Sequence, residues 1–224
     1  MVSIIIPTLN EESVLTATLE RARQPRVREI IVVDGGSTDS TRALAAPRAD
    51  LVFSAPRGRA AQMNAGAARA TGDILLFLHA DTWLPAGFAG AVTAACAAAE
   101  TIGGRFDVQL EPSSPLLWLT GELINVRSRL SRIATGDQAI FIRRSVFEQL
   151  GGYADMPLME DIDLTRRMKR AGRIACLRER VTTSARRWQR HGVVRTILLM
   201  WALRAAYSCG ASPERLQRMY ANTR

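Results

Sequence analysis

Apolar residues recur along the chain in two rhythms. Val2-Ser3-Ile4-Ile5-Ile6-Pro7 is a short β-branched run ending in proline and a polar turn, after which Val14, Leu15, Leu19 and Ala22 fall at helical spacing: strand, loop, helix. The same order returns. Glu29 to Val33 reads as a buried strand stopped by Asp34-Gly35-Gly36-Ser37, with a short helix through Ala46; Asp50 to Ser54 is a third strand and Arg59 to Ala70 another helix. Asp73 to Leu78 is a strongly apolar strand, and Phe88 to Glu100 an alanine-rich helix begun near Pro85. Alternation of this kind predicts an α/β fold with a doubly wound, mostly parallel sheet and helices on both faces.

Past Gly103-Gly104 the rhythm changes. A strand is expected near Arg105 to Leu110, a helix from about Pro115 to Arg129, a strand at Gln138 to Ile142 and a helix from Glu160 to Ala171, closed by Gly172. Gly192 to Tyr207 and Pro213 to Tyr220 read as two further helices. The expected organisation is one domain over residues 1–191 and a C-terminal helical appendage over 192–224. A chain of 224 residues supports one sizeable core, burying about 70% of its unfolded surface.

Composition narrows the function classes. With 47% apolar and 23% charged residues the chain is neither a disordered tract nor a fibrous repeat. Thirty Lys+Arg against 21 Asp+Glu give +9, and Lys169 is the sole lysine. Arginine forks suit phosphate, so the expected partner is anionic: a nucleotide, a nucleic acid or a membrane surface. Aromatics at 6% serve base stacking poorly, which argues against nucleic acid. Cys96, Cys176 and Cys209 are odd in number and form no CxxC, so neither a disulfide framework nor a zinc site is indicated. No signal-length apolar region opens the chain and no apolar run reaches the roughly 18 residues of a membrane span. The expected location is therefore cytoplasmic.

Ligands of open α/β sheets bind beyond the carboxyl ends of the strands. Three polar segments stand there: Pro7-Thr8-Leu9-Asn10-Glu11-Glu12, Asp34-Gly35-Gly36-Ser37-Thr38-Asp39 and His79-Ala80-Asp81. Each alone has a local structural explanation as a helix cap or turn. Together their strands should lie side by side and their ends converge on one cleft. Neither GxGxxG after the first strand nor GxxxxGK[ST] occurs, which removes the main support for a dinucleotide or P-loop site. His79 and Asp81, two residues apart at a strand end, can hold a hard divalent cation whose remaining shell comes from diphosphate and water. Glu160, Asp161 and Asp163 crowd one helix N-terminus, complementing its dipole, behind an apolar wall of Leu158 and Met159 where a carboxylate can act as general base.

The ordered series Ile4-Ile5-Ile6-Pro7-Thr8-Leu9-Asn10-Glu11, Val32-Val33-Asp34-Gly35-Gly36-Ser37-Thr38-Asp39, Gly72-Asp73-Ile74-Leu75-Leu76-Phe77-Leu78-His79-Ala80-Asp81 and Met159-Glu160-Asp161 resembles the family 2 glycosyltransferases, over roughly Met1 to Trp188. Gly136-Asp137-Gln138-Ala139-Ile140-Phe141 and Arg186-Arg187-Trp188 resemble the subgroup of radical-SAM/selenodomain-associated transferases. The resemblance implies a GT-A fold and inverting transfer of a sugar from a UDP- or GDP-linked donor, with Mg²⁺ or Mn²⁺. Thr8, Asn10, Glu11 and Asp34 would line the nucleotide pocket and Arg57 would meet the nucleotide or its phosphates. Asp81 matches the last acidic residue of the family's DxD motif, and His79 stands where the family has Asp. Asp161 matches the base that takes the acceptor's proton, with Glu160 beside it. Asp137, Gln138, Arg187 and Trp188 fall to the acceptor side. Ser184-Ala185-Arg186-Arg187-Trp188 resembles a degenerate QxxRW motif with Ser184 at the Gln position, which argues against processive polymer synthesis. His191 lies where some members supply a further metal ligand.

Two rival readings remain at this point. A nucleotidyltransferase also uses a doubly wound sheet and a divalent metal, but would carry a glycine- and lysine-rich loop where Leu9-Asn10-Glu11-Glu12 is acidic. A non-enzymatic membrane or nucleic-acid module would use the +9 charge. The apolar surface of Gly192 to Tyr207 must be covered by the catalytic domain, by a second subunit in a homodimer, or by an anionic membrane on whose inner face the protein sits.

Overall fold

The computed structural model describes residues 1–186, 188 and 192–221. Eight strands form one sheet in the order β3-β2-β1-β4-β7-β6-β8-β5. β1 (Val2–Thr8), β2 (Val27–Asp34), β3 (Leu51–Ser54) and β4 (Ile74–Phe77) are parallel neighbours. They alternate with α1 (Leu15–Ala22), α2 (Thr41–Ala45) and α3 (Arg59–Ala67). Their residues are apolar on both faces. Ile4, Ile6, Ile30 and Val32 join Leu15 and Leu19 of α1 and Phe88 and Val92 of α4 (Phe88–Ala95) in one buried cluster. Ile5, Ile31 and Val33 face Met63 and Ala67 of α3 and Leu164 and Met168 of α7 (Glu160–Ala171) in another. Burial on both faces is why these strands read as continuous apolar runs.

The second half is mixed. β7 (Phe141–Arg143) runs antiparallel to both β4 and β6 (Thr101–Glu111), which pairs in parallel with β8 (Arg173–Ser184). β5 (Thr82–Trp83) closes the edge against β8. β6 runs so close to its neighbours that a side chain at Gly103 would meet the Phe141 carbonyl, and one at Gly104 the Ala175 carbonyl. α5 (Pro115–Ser131) starts with Ser114 accepting from the Leu117 amide at 3.3 Å and proline at its first position. α6 (Arg144–Gln149) follows β7 directly.

Two expectations are corrected, and one long strand is new. The strand predicted from Gln138 begins only at Phe141, because Gly136–Gln138 forms a 3₁₀ turn closed by a Thr135/Gln138 capping box, and Ala139 adopts a left-handed φ of 46°. The alanine-rich helix ends at Ala95 rather than Glu100, turning instead into β6. The twelve-residue strand β8 was not anticipated, since its middle, Arg178-Glu179-Arg180, has no apolar rhythm. There the pairing slips, with Arg105 opposite Cys176 and Asp107 opposite Arg180, so the charged stretch bulges from the ladder.

The last two helices, α8 (Val193–Ser208) and α9 (Pro213–Ala221), dock on the N-terminal end of α7. Leu203 and Leu216 are fully buried against Met159 and Ile162, and Arg166 of α7 donates to Ser208 at 3.1 Å and covers the Tyr207 ring. Among the described residues no helix is long and apolar enough to cross a membrane.

Candidate active site

The carboxyl ends of β1, β2 and β4 lie side by side, as the strand order requires. Gln62 ties two of them together: its Nε2 donates to the carbonyls of Thr8 at 2.9 Å and Val33 at 2.7 Å. The loops beyond are joined to each other. Asn10, at a left-handed φ of 55°, accepts from the Thr38 amide at 2.8 Å and donates its own amide to Ser37 Oγ at 2.9 Å. The Asp34 carboxylate is buried and accepts from the amides of Gly36 and Ser37, both at 2.9 Å, and from Ser37 Oγ at 2.5 Å. Thr8, Asn10 and Asp34 thus form one connected rim, with Asp34 shaping its own loop.

Beside this rim opens a cavity of about 920 Å³, bounded by the ends of β1 and β4, α5, the 3₁₀ turn, the N-terminus of α7, and α8. Glu11, His79, Asp81, Asp137, Glu160, Asp161 and Trp188, all singled out in the sequence, line it. Thr8, Asn10, Asp34 and Arg57 do not, and Gln138 is turned inward, fully buried as the cap of the 3₁₀ turn. Arg187 and His191 lie outside the described residues. The sequence reading passed over two arginines of the wall, Arg59 at the start of α3 and Arg127 on α5. For Arg59 the signal was its position at the first turn of a helix leaving the sheet's carboxyl edge, two residues past Arg57.

The segment His79 to Asp81 is pinned. Thr18 Oγ1 donates to the Ala80 carbonyl at 2.6 Å, and the Ser184 amide donates to the Asp81 carbonyl at 3.2 Å. Burial, then repulsion from Asp137, push the Asp81 carboxyl above its usual range, against the pull of Arg59 and Arg186. Burial and Asp81 likewise raise Glu11. Desolvation by the surrounding protein, and then the charge of Arg59, lower the pKa of the half-buried His79 to about 3, which keeps the imidazole neutral. It lies against Gly136, where any side chain would collide with the ring, Nε2 first.

A divalent cation suits the carboxylates of this pocket. Asp81 is held protonated more readily than an exposed carboxyl, so a cation beside it would relieve the cost of its charge. Among the described residues no three His, Cys, Asp or Glu side chains gather as a preformed metal cluster, so a cation here would draw most of its shell from ligand and water.

Across the cavity the Asp161 carboxylate is fixed by two backbone donors, Gly136 N–H to Oδ2 and Ile162 N–H to Oδ1, both at 2.7 Å. Burial foremost, and then Glu160, raise its pKa to about 7 despite those donors. A carboxyl held in place and titrating near neutrality is suited to taking a proton from a hydroxyl.

Comparisons with known proteins bear on the family and the fold. The chain is 32% identical over 202 residues to a probable glycosyltransferase, YdaM, of Bacillus subtilis, covering 76% of this chain and 47% of that one. It is 37% identical over 163 residues to a PGL/p-HBAD biosynthesis glycosyltransferase of Mycobacterium bovis, covering 68% and 63%. The chain therefore spans only about half to two thirds of these curated relatives. Among solved structures, the mannosyltransferase PcManGT of Pyrobaculum calidifontis, in complex with GDP-Man and Mn²⁺, superposes with a TM-score of 0.68 at 22% identity over 99% of this chain and 69% of that one. TarS 1-349 of S. aureus in complex with UDP-GlcNAc gives 0.64 at 18% identity over 83% and 58%. These likenesses show the fold, which is of the GT-A type. The model of glycosyl transferase family 2 matches residues 3–151, the stretch that carries the β1, β2 and β4 ends, and the chain belongs to that family.

Proposed function

We propose that the protein is an inverting glycosyltransferase that moves a sugar from a nucleotide diphosphate sugar to an acceptor hydroxyl. The observation that carries this reading is Asp161: a half-buried carboxyl, raised to about 7 and held by two amides, across one cavity from Asp81. The nucleotide would lie over the rim of Thr8, Asn10 and Asp34, with its diphosphate reaching Glu11, Asp81 and Arg59. Arg57, exposed before α3, would meet the nucleotide from outside the cavity. Family membership and the Mn²⁺ in the PcManGT complex favour this donor and a divalent cation over the nucleotidyltransferase reading. Asp81 would hold Mg²⁺ or Mn²⁺ with the neutral His79 behind it, and the ion would supply Lewis-acid neutralisation of charge on the departing diphosphate. Asp161 takes the proton of the acceptor hydroxyl as its oxygen bonds to the anomeric carbon on the face opposite the diphosphate. The bond to the diphosphate breaks, and its electron pair leaves with that group. Glu160 sits beside the base, and Asp137 and Trp188 border the acceptor side.

Residues 1–191 would form the catalytic unit and 192–224 its appendage. The apolar side chains that α5 and α8 leave exposed, among them Trp118, Leu119, Leu198 and Trp201, together with the basic excess, favour a peripheral position on an anionic membrane. Melting curves with UDP, GDP and dTDP, each with and without Mn²⁺, test the donor reading. At least one nucleotide should raise the melting temperature by several degrees only when Mn²⁺ is present. No response to any of the six conditions would refute it.

A further inference from the structure

The cavity contains a cation that the proposed reaction does not use. Arg127, on the cavity side of α5, has its Nε and Nη2 buried without a hydrogen-bond partner. Two residues on, Arg129 is bound by Asp107 at 2.8 Å and by the Cys176 carbonyl at 2.9 Å, and Arg105 is also tied to Asp107. These arginines are structural. Arg127 instead lies near Asp137 and Asp161 without bonding to either, and burial pulls its pKa down. Two unpaired N–H groups out of water cost stability, and an anion drawn to the half-buried guanidinium from the cavity would offset its charge.

Two features separate this arginine from the donor side. Arg59 and Arg186 are the cations that act on Glu11 and Asp81, where the diphosphate would lie, whereas Arg127 shares its surroundings with the base. Above Arg127 the wall turns apolar. Leu123, Val126 and Leu130 of α5 and Trp201 of α8 all line the cavity, yet Leu130 keeps 80% and Trp201 62% of its surface in solvent. The mouth of the acceptor side is therefore an unfilled hydrocarbon surface over a half-buried positive charge.

We propose that Arg127 is the receptor for an anionic group of the acceptor, a phosphate or carboxylate near the attacking hydroxyl, and that the apolar mouth seats a hydrocarbon body: the acceptor is an anionic amphiphile. This rests on the reading above that the Asp161 side of the cavity takes the acceptor. The cavity-facing part of the guanidinium meets the anion, and the leucines and Trp201 cover the chain.

Octyl phosphate, inorganic phosphate and octyl glucoside serve as probes. Each is titrated calorimetrically below its micellar concentration into the full chain and its Arg127→Gln and Arg127→Lys variants. Wild type should bind octyl phosphate at least about tenfold more tightly than either other probe. Arg127→Gln should lose that preference, Arg127→Lys should keep part of it, and ligand-free Arg127→Gln should melt no lower than wild type. A preference that survives in Arg127→Gln, or a clearly lower melting temperature, overturns the assignment, the latter by marking the arginine as structural. Inorganic phosphate binding as tightly as octyl phosphate overturns the amphiphile and leaves a small soluble anion. UDP with Mn²⁺, titrated in parallel, reports on the donor reading alone: its failure beside an Arg127-dependent octyl phosphate site would sink the transferase reading and leave the anion receptor standing.

Discussion

Asp161 combines two requirements that oppose each other. Its two amide donors favour the charged form, while burial and Glu160 favour the neutral one, and the second effect prevails. Catalysis needs the charged form, so kcat/KM should rise with pH through about 7 and level off above it. Asp161→Asn should lower transfer by at least about a hundredfold with nucleotide affinity intact, since the amide cannot accept the proton. Stability has the opposite pH dependence. Because the folded-state pKa lies above the unfolded one, the folded chain holds a proton that the unfolded chain has lost between about 4 and 7, and stability falls as pH rises through that window. Denaturant melts at pH 5 and pH 8 should therefore show Asp161→Asn gaining on wild type at pH 8, and an equal effect at both would refute the shift. On the donor side, Asp81→Ala should abolish the dependence of nucleotide binding on Mn²⁺. Calorimetry with EDTA and with Mn²⁺ reads this directly, and identical affinities in wild type would remove the metal.

The 3₁₀ turn Gly136–Gln138 links the two ends of the site. Its first residue gives the Asp161 carboxylate one of its donors and lies against the imidazole of His79, while its last, Gln138, holds the turn in shape. Gly136→Ala should push His79 and the Gly136 amide apart, lowering both melting temperature and transfer, the latter by about tenfold or more, because small misplacements at a reacting centre are costly. Nucleotide binding on the rim of Asn10 and Asp34 should persist. A fully active Gly136→Ala enzyme would show that the turn adapts. Gln138, which the sequence placed with the acceptor residues, has a different part: it is the cap that makes this turn possible. Asp137, its neighbour, faces the cavity, and only the geometry of the turn tells the two apart.

The docking of α8 and α9 on the start of α7 joins the appendage to the site. Leu203 and Leu216 bury Met159 and Ile162, the residues that flank Glu160 and Asp161. A chain ending at Gln189 should accordingly lose stability as well as its exposed apolar side chains, and its residual transfer should fall with the order of the α7 N-terminus. The same truncation tests the membrane. Intact protein should float with anionic vesicles at low salt and be released by high salt, and the shortened chain should float less. If the intact protein stays behind with neutral and anionic vesicles alike, the membrane position is wrong.

Much was legible along the chain. The first four strands, the helices between them and the three polar segments at their ends could be read, because a strand covered on both faces must be apolar throughout and a strand end must be polar. The pairing of Glu160 with Asp161 and the position of Asp81 followed from the same local rules. What local rules could not supply is whatever depends on residues distant in sequence. β8 is a strand because β6 lies beside it, and its charged middle is tolerated because the ladder slips there. Arg59 and Arg127 became part of the site only when α3 and α5 turned them toward one cavity, and nothing in Asn125-Val126-Arg127-Ser128-Arg129 distinguishes the unpaired arginine from the one bound to Asp107. Hydrophobic periodicity is a property of neighbours in sequence, whereas burial and charge pairing belong to neighbours in space.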